Sequence, residues 1–322
     1  MRLRRLPLLR PLAIAGIMAV ALSLVFIGTA FSVGATPAAR PVTPGTQHIL
    51  GTRNTVQQAQ GTTNMTYHGG PVETAPAVYI SWWGPEWASG FSTGGYTSAQ
   101  AQTYLSNFFS NVGGSSWENI VTQYCQGVAN GTVNCGTKGT HIQNLTGQLK
   151  GTWNDTTTVP SRPTQANIAS AAVRLMQHFG YHANATYFVF TPHGKSQSGF
   201  GTQWCAYHSV SNSSSGEVAW AYMPYQPDAG ASCGMNFVNG SNNSYGNGYF
   251  DGFSIVGGHE YAEAETDPHT ASGQYAWYDS SGAEIGDKCA WSPSSRNITL
   301  GSHFYAVQPL WSNVNTACET SH

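Results

Sequence analysis

The segment GGHEYAEAETDPH, residues 257–269, sets one imidazole and four carboxyl groups within nine residues: His259, Glu260, Glu263, Glu265 and Asp267. On a helix, residues i and i+4 stand on one face, one turn apart. His259 and Glu263 are such a pair, Asp267 extends the row, and Glu260 stands beside His259. The pattern H-E-x-x-E is a carboxylate variant of H-E-x-x-H, in which two side chains a turn apart hold zinc and the intervening Glu is the general base. A metal site needs a third ligand. The segment GAEIGDKC supplies Glu284, 21 residues after Glu263, and Asp287 just beyond. The turn at Gly282 and a disulfide at Cys289 can return that segment over the helix. The expected site is therefore zinc held by His259, Glu263 and Glu284, with Asp287 as a further ligand and Glu260 as catalytic base. One imidazole with carboxylates is a hard donor set, so calcium and manganese stand as alternatives to zinc.

The competing account is a plain solvated acidic face. The local enrichment argues against it. Only 9% of the chain is charged, against about 25% in a typical soluble domain, yet seven of the fifteen acids lie between His259 and Asp287. Other candidates are weaker. His208, in WCAYHSV, and His193, in TPHGKS, can serve as outer-shell or substrate groups, but a hydrogen-bonded structural histidine is the commoner role for each. Cys205 is read as a disulfide partner. The chain has no G-x-S-x-G elbow for a serine nucleophile. Trp82, Trp83 and Trp87 suit a sugar-stacking surface, and equally a core.

These residues must be carried by a fold. With 40% apolar and 12% aromatic residues, a sizeable core is expected. The start, a basic MRLRRLPLLR followed by an uncharged run from Leu12 to Phe31 and small residues, reads as a secretory signal over 1–35, or else a membrane anchor. Without those residues, nine basic face fifteen acidic groups, a formal charge of −6 that disfavours nucleic acid. All six cysteines lie beyond it, and an even count in an exported chain points to three disulfides. Sequential pairing is favoured, with Cys125–Cys135 across a Gly/Asn-rich turn and Cys289–Cys318 tying the acidic loop to the C-terminus. Residues 36–70, rich in Thr, Gln, Gly and Pro, read as a flexible linker or propeptide-like arm. Residues 71–322 then form one globular domain.

Pro76–Gly84 is nearly continuous in apolar residues and predicts a buried strand. Helices are expected at Thr97–Val112, at Thr164–Gly180 with a threonine cap and a glycine stop, at Phe253–Pro268, and after the Ser115-x-x-Glu118 capping box. Ala185–Pro192 predicts a strand, and WCAYHSV with VAWAYMPY a hairpin. The fold class is α/β of the α+β kind: a single disulfide-bearing domain, a mixed sheet, a backing helix and the acidic helix, in zincin-like order.

Several segments together resemble the EXORDIUM-like (phosphate-induced) secreted protein family: YHGGPVETAPAVYISWWG, YFVFTP, WCAYHS, VAWAYMPYQ, GGHEYAEAETDP and AWYDSSGAEIGDKC, in that order from about Tyr67 to Cys289. The resemblance implies an extracellular location and importance for His259, Glu260, Glu263, Glu284 and Asp287. It implies no activity. Asp267 departs from the plant pattern, which often has Asn-Pro there. The leading expectation is a secreted, monomeric metal-dependent hydrolase, a zinc peptidase acting on protein or peptide. The alternative is a non-catalytic extracellular or wall-associated protein with glycan as one possible ligand. Membrane contact is expected only if the N-terminal segment stays uncleaved.

Overall fold

Three strands of mostly apolar sequence run parallel at the middle of the domain because both of their faces are covered. In a computed structural model of the chain, which describes residues 44–56, 62–241, 244–268 and 273–322, they belong to a six-stranded mixed sheet. Its strands are β1 (His48–Gly51), β2 (Ala77–Trp83), β3 (Leu149–Asp155), β4 (Ala185–Phe190), β5 (Trp204–Asn212) and β6 (Glu217–Met223), in the order β1-β5-β6-β4-β2-β3. The pairs β6–β4, β4–β2 and β2–β3 are parallel; β1–β5 and β5–β6 are antiparallel.

Alternation sorts the side chains between two cores. Val78, Ile80, Trp82, Phe188, Phe190, Ala221 and Met223 face one side; Tyr79, Trp83, Tyr187, Val189, Trp220 and Tyr222 face the other. The second side is covered by α2 (Gln165–Phe179), whose buried stripe includes Ile168, Ala172 and Leu175. Thr164 caps it through the backbone N–H of Asn167, and Gly180 ends it. The first side is covered by α1 (Ser98–Asn111), capped by Thr97 and Gln100, and by α3 (Asp251–Thr266). The acidic helix and the backing helix thus lie on opposite faces of the sheet. Every residue of α3 is buried.

Three disulfides staple the domain, and they pair sequentially as expected: Cys125–Cys135, Cys205–Cys233 and Cys289–Cys318. The secretory signal or anchor expected over 1–35 lies outside the described residues. Among the described residues, no helix is long and apolar enough to cross a membrane.

Two expectations need correction. The segment 36–70 is not a linker in its described part. His48–Gly51 pairs along the edge of β5, and Leu50, Met65 and Tyr67 are buried. Thr66–Tyr67 pairs with Trp277–Tyr278. Backbone groups on the edge of β5 need partners whatever side chains the partner carries, so composition misled. The segment after Ser115 is a short 3-10 turn, Glu118–Gln123, and not an α-helix. Ser115 Oγ accepts the Glu118 N–H at 3.0 Å, but the Glu118 carboxylate turns inward to accept from Gln148 Nε2 at 3.3 Å, so only half of the capping box forms.

That inward turn is part of a buried acidic group. Glu73, Glu118 and Glu265 are each fully buried. Glu73 Oε1 accepts from Thr186 at 3.0 Å, while its Oε2 has no partner among the described residues. Burial pushes the Glu73 carboxyl well above its ordinary 4.5; the Thr186 bond opposes this and neighbouring Glu118 adds to it. A raised folded-state pKa contributes stability at low pH and loses it as pH climbs through the folded value. Glu73→Gln should therefore match the parent near pH 4 and exceed it in melting temperature by a gap that widens toward pH 8. Each unit of raised pKa is worth about 1.4 kcal/mol, and each kcal/mol about 2–4 °C at this size. Thermal melts across that range test it; a gap that does not grow with pH refutes the assignment.

Candidate metal centre

The middle of α3 brings His259, Glu260 and Glu263 under the sheet near β1 and β5, and the loop after Gly282 returns Glu284 and Asp287 to it. All five sequence-derived residues therefore lie in one cluster, joined by two histidines from the sheet. The His259 ring and Glu263 Oε1 stand 3.1 Å apart, and His259 Nε2 is 3.8 Å from Asp287 Oδ1. Glu263 Oε1 also accepts the Asp287 backbone N–H at 2.9 Å, which clamps the loop to the helix. These three side chains form one set of convergent donors.

Glu284 does not converge on His259. Its Oε2 lies 2.6 Å from His48 Nδ1 and 3.7 Å from His208 Nε2. His208 Nδ1 meets Glu260 Oε2 at 3.2 Å and stands 3.6 Å from Glu263 Oε2. The expected triad of His259, Glu263 and Glu284 is thus split: Asp287 completes the first two, and Glu284 serves the histidines. The backbone of Gly286, between Glu284 and Asp287 in the chain, presses on the His259–Glu263 pair. A Cβ there would sit 2.5 Å from His259 Nδ1 and 2.9 Å from Glu263 Oε1. Gly257 and Gly258 have a different explanation. They let Phe109, Phe108 and Trp117 pack on α3.

The electrostatics require a positive partner. Gln308 Oε1 faces His259 Nδ1 at 3.3 Å, while its Nε2 donates to the Gly286 carbonyl at 2.8 Å. An amide oxygen can only accept, so Gln308 places a proton on His259 Nδ1 and leaves Nε2 to face the carboxylates. That Nε2 has no aligned hydrogen-bond partner although two carboxylates crowd it. Burial opposes a second proton on His259, but Glu263, Glu260 and Asp287 outweigh it and push the ring up to about 10. Burial and the neighbouring His48 push His208 down to about 3, so it stays neutral, a ready ligand. Burial drives Glu260 and Glu284 well above the carboxylate range, whereas His259 overrides burial and lowers Glu263. A bound cation would replace the proton on His259 Nε2 and favour the ionised forms of Glu260 and Glu284.

Most of the cluster is closed. His208, His259, Glu260, Glu263 and Glu284 expose 1% or less of their side chains, whereas His48 exposes 19% and Asp287 34%. Solvent therefore reaches it along the His48 and Asp287 edge. Asp267 is not part of it: Oδ1 accepts from the Ala276 N–H at 2.8 Å and holds the chain after α3. Lys288, next to Asp287, turns to Asp279 at 2.7 Å. His193 pairs with Asp228 elsewhere. Of the residues sequence reading missed, His48 lay inside the supposed linker, and Gln308 and Gly286 carry no local motif. His208 was visible as a histidine in an apolar strand.

No family model, curated protein or solved structure matches the chain.

A divalent cation that binds only the folded chain stabilises it by mass action, about 2.7 kcal/mol at a hundredfold excess over Kd. Zinc should therefore raise the melting temperature of the chelator-stripped protein. Gly286→Ala should keep the fold but remove most of that rise, because its methyl group displaces His259 or Glu263. Melts with and without zinc read both effects, and an equal rise in the variant would refute the assignment of this loop to the site.

Proposed function

We propose that the chain is a secreted metal-dependent hydrolase acting on peptide bonds. The carrying observation is the buried convergence of His259 Nε2 with Glu263 Oε1 at 3.1 Å and Asp287 Oδ1 at 3.8 Å, with Nε2 lacking an aligned hydrogen-bond partner among the described residues. One imidazole and two carboxylates suit zinc, with manganese or calcium as harder alternatives. Bound there, the cation would act as a Lewis acid on the scissile carbonyl and make water acidic enough to attack near neutral pH. The remaining work falls to the chain. Glu260, one residue along the helix from the ligand, has Oε1 without a partner and takes the proton of the attacking water. Gln308 fixes the His259 ring, and Asp287, one third exposed, marks the side from which substrate approaches. The acidic helix with its returning carboxylate loop is the part of the fold that supports a zincin-like reading. Three disulfides support an oxidising, extracellular setting.

One observation favours a second reading. Five of the seven side chains are sealed from solvent, as in a structural metal site, which fits a non-catalytic wall protein of the EXORDIUM-like kind. Glu260→Gln separates the two. In the hydrolase, the variant keeps its fold and metal but loses about 10²–10⁴-fold in cleavage of an unfolded protein substrate, the span of general-base help. A metal-loaded parent with no cleavage above the variant would leave only the structural role.

A further inference from the structure

The proposed set of His259, Glu263 and Asp287 leaves half of the cluster unexplained. His48 and His208 are direct cross-strand partners in the antiparallel β1–β5 pair. Period-two alternation sends His208 to the same face as Ala206, the face packed on α3. The two rings stand 5.2 Å apart. Glu284 reaches them from the loop, at 2.6 Å from His48 Nδ1 and 3.7 Å from His208 Nε2. One donor atom from each of the three lies within 4.8 Å of the others.

Two atoms in this group are stranded. Among the described residues His208 Nε2 and Glu284 Oε1 have no hydrogen-bond partner, and both side chains are at most 1% exposed. A simple ion pair between His48 and Glu284 satisfies Glu284 Oε2 and neither of these. His208 Nδ1 is already engaged by Glu260 Oε2. A carboxylate on one ring nitrogen fixes the tautomer that aims the other nitrogen's lone pair, the arrangement that orients metal-bound histidines. Two imidazoles and a carboxylate are moreover a better zinc donor set than one imidazole and two carboxylates.

We propose that His48, His208 and Glu284 bind a second divalent cation, so that the centre is dinuclear. The proposal builds on the metal reading of His259, Glu263 and Asp287. Glu263 lies between the two sets, with Oε1 3.1 Å from His259 Nε2 and Oε2 3.6 Å from His208 Nδ1, on the ring whose other nitrogen takes the second ion. A carboxylate so placed can touch both ions, and paired ions are suited to clamp both the attacking and leaving oxygens of a hydrolysed group. The second ion also has a structural consequence. β1 is only four residues long and lies at the sheet edge; a bond through His48 would pin it there.

The test uses the purified protein, stripped with chelator, reloaded with zinc and freed of excess metal. Metal analysis should find about two ions per chain in the parent. His48→Gln and His208→Gln should each hold one, as should His259→Ala. His48 sits on the partly exposed edge strand, so His48→Gln carries the test even if His208→Gln does not fold. Amide exchange of residues 48–51 should slow at least tenfold when the parent takes up zinc, and should not respond in His48→Gln. One ion in the parent, unchanged in His48→Gln and lost in His259→Ala, would overturn the second site and leave the proposed function standing. Two ions retained in His48→Gln and His208→Gln would overturn the ligand assignment. No ion in the parent would overturn both readings.

Discussion

Carboxylates cannot be packed into an apolar interior without positive charge close by. In a medium of low dielectric an isolated ion is unstable by many kcal/mol, so it takes up a proton, finds a partner or holds a metal. Glu260, Glu263 and Glu284 are in that position, all at most 1% exposed. Their described ion pairs are with imidazoles alone. Of the three imidazoles, burial holds His48 and His208 toward the neutral form, and only His259 is pushed up, to about 10. Everything around the cluster follows from meeting this demand: a helix buried on every side, a loop pressed onto it through Gly286, and an edge strand that contributes its one histidine.

The sheet does the positioning. The change from parallel to antiparallel pairing beyond β6 puts β5 and β1 at one edge, over the middle of α3. Because β5 is antiparallel to both neighbours, His48 and His208 stand directly opposite each other. Cys289–Cys318 anchors the loop that carries Glu284 and Asp287, and the Trp311 backbone N–H donates to the Ile285 carbonyl at 3.0 Å. The histidines thus ride on rigid strands while the two loop carboxylates are held by a disulfide and a backbone bond. Such support is what keeps ligand geometry from relaxing when an ion enters. The second acidic group, Glu73, Glu118 and Glu265, has a different character. It has no imidazole among its members and forms no convergent donor set, so its charge is met by protons.

What sequence alone determined was local. Periodicity and caps defined α1, α2 and α3, because helix ends at Thr97 and Thr164 are chosen by side chains a few residues away. Spacing on α3 paired His259 with Glu263, since a helical turn fixes that distance whatever surrounds it. Sequential cysteine pairing was expected, and for Cys125–Cys135 it was legible from the short Gly/Asn-rich turn between them. The tertiary structure alone decided which carboxylate meets which imidazole. Sequence put Glu284 third in the ligand set and Asp287 beyond it, but Asp287 meets His259 while Glu284 turns to His48 and His208. His48 came from a stretch whose composition reads as linker, because an edge strand is selected by backbone hydrogen bonding to β5 rather than by its own pattern. Its place opposite His208 depends on register, and register is a property of two strands together that neither one encodes.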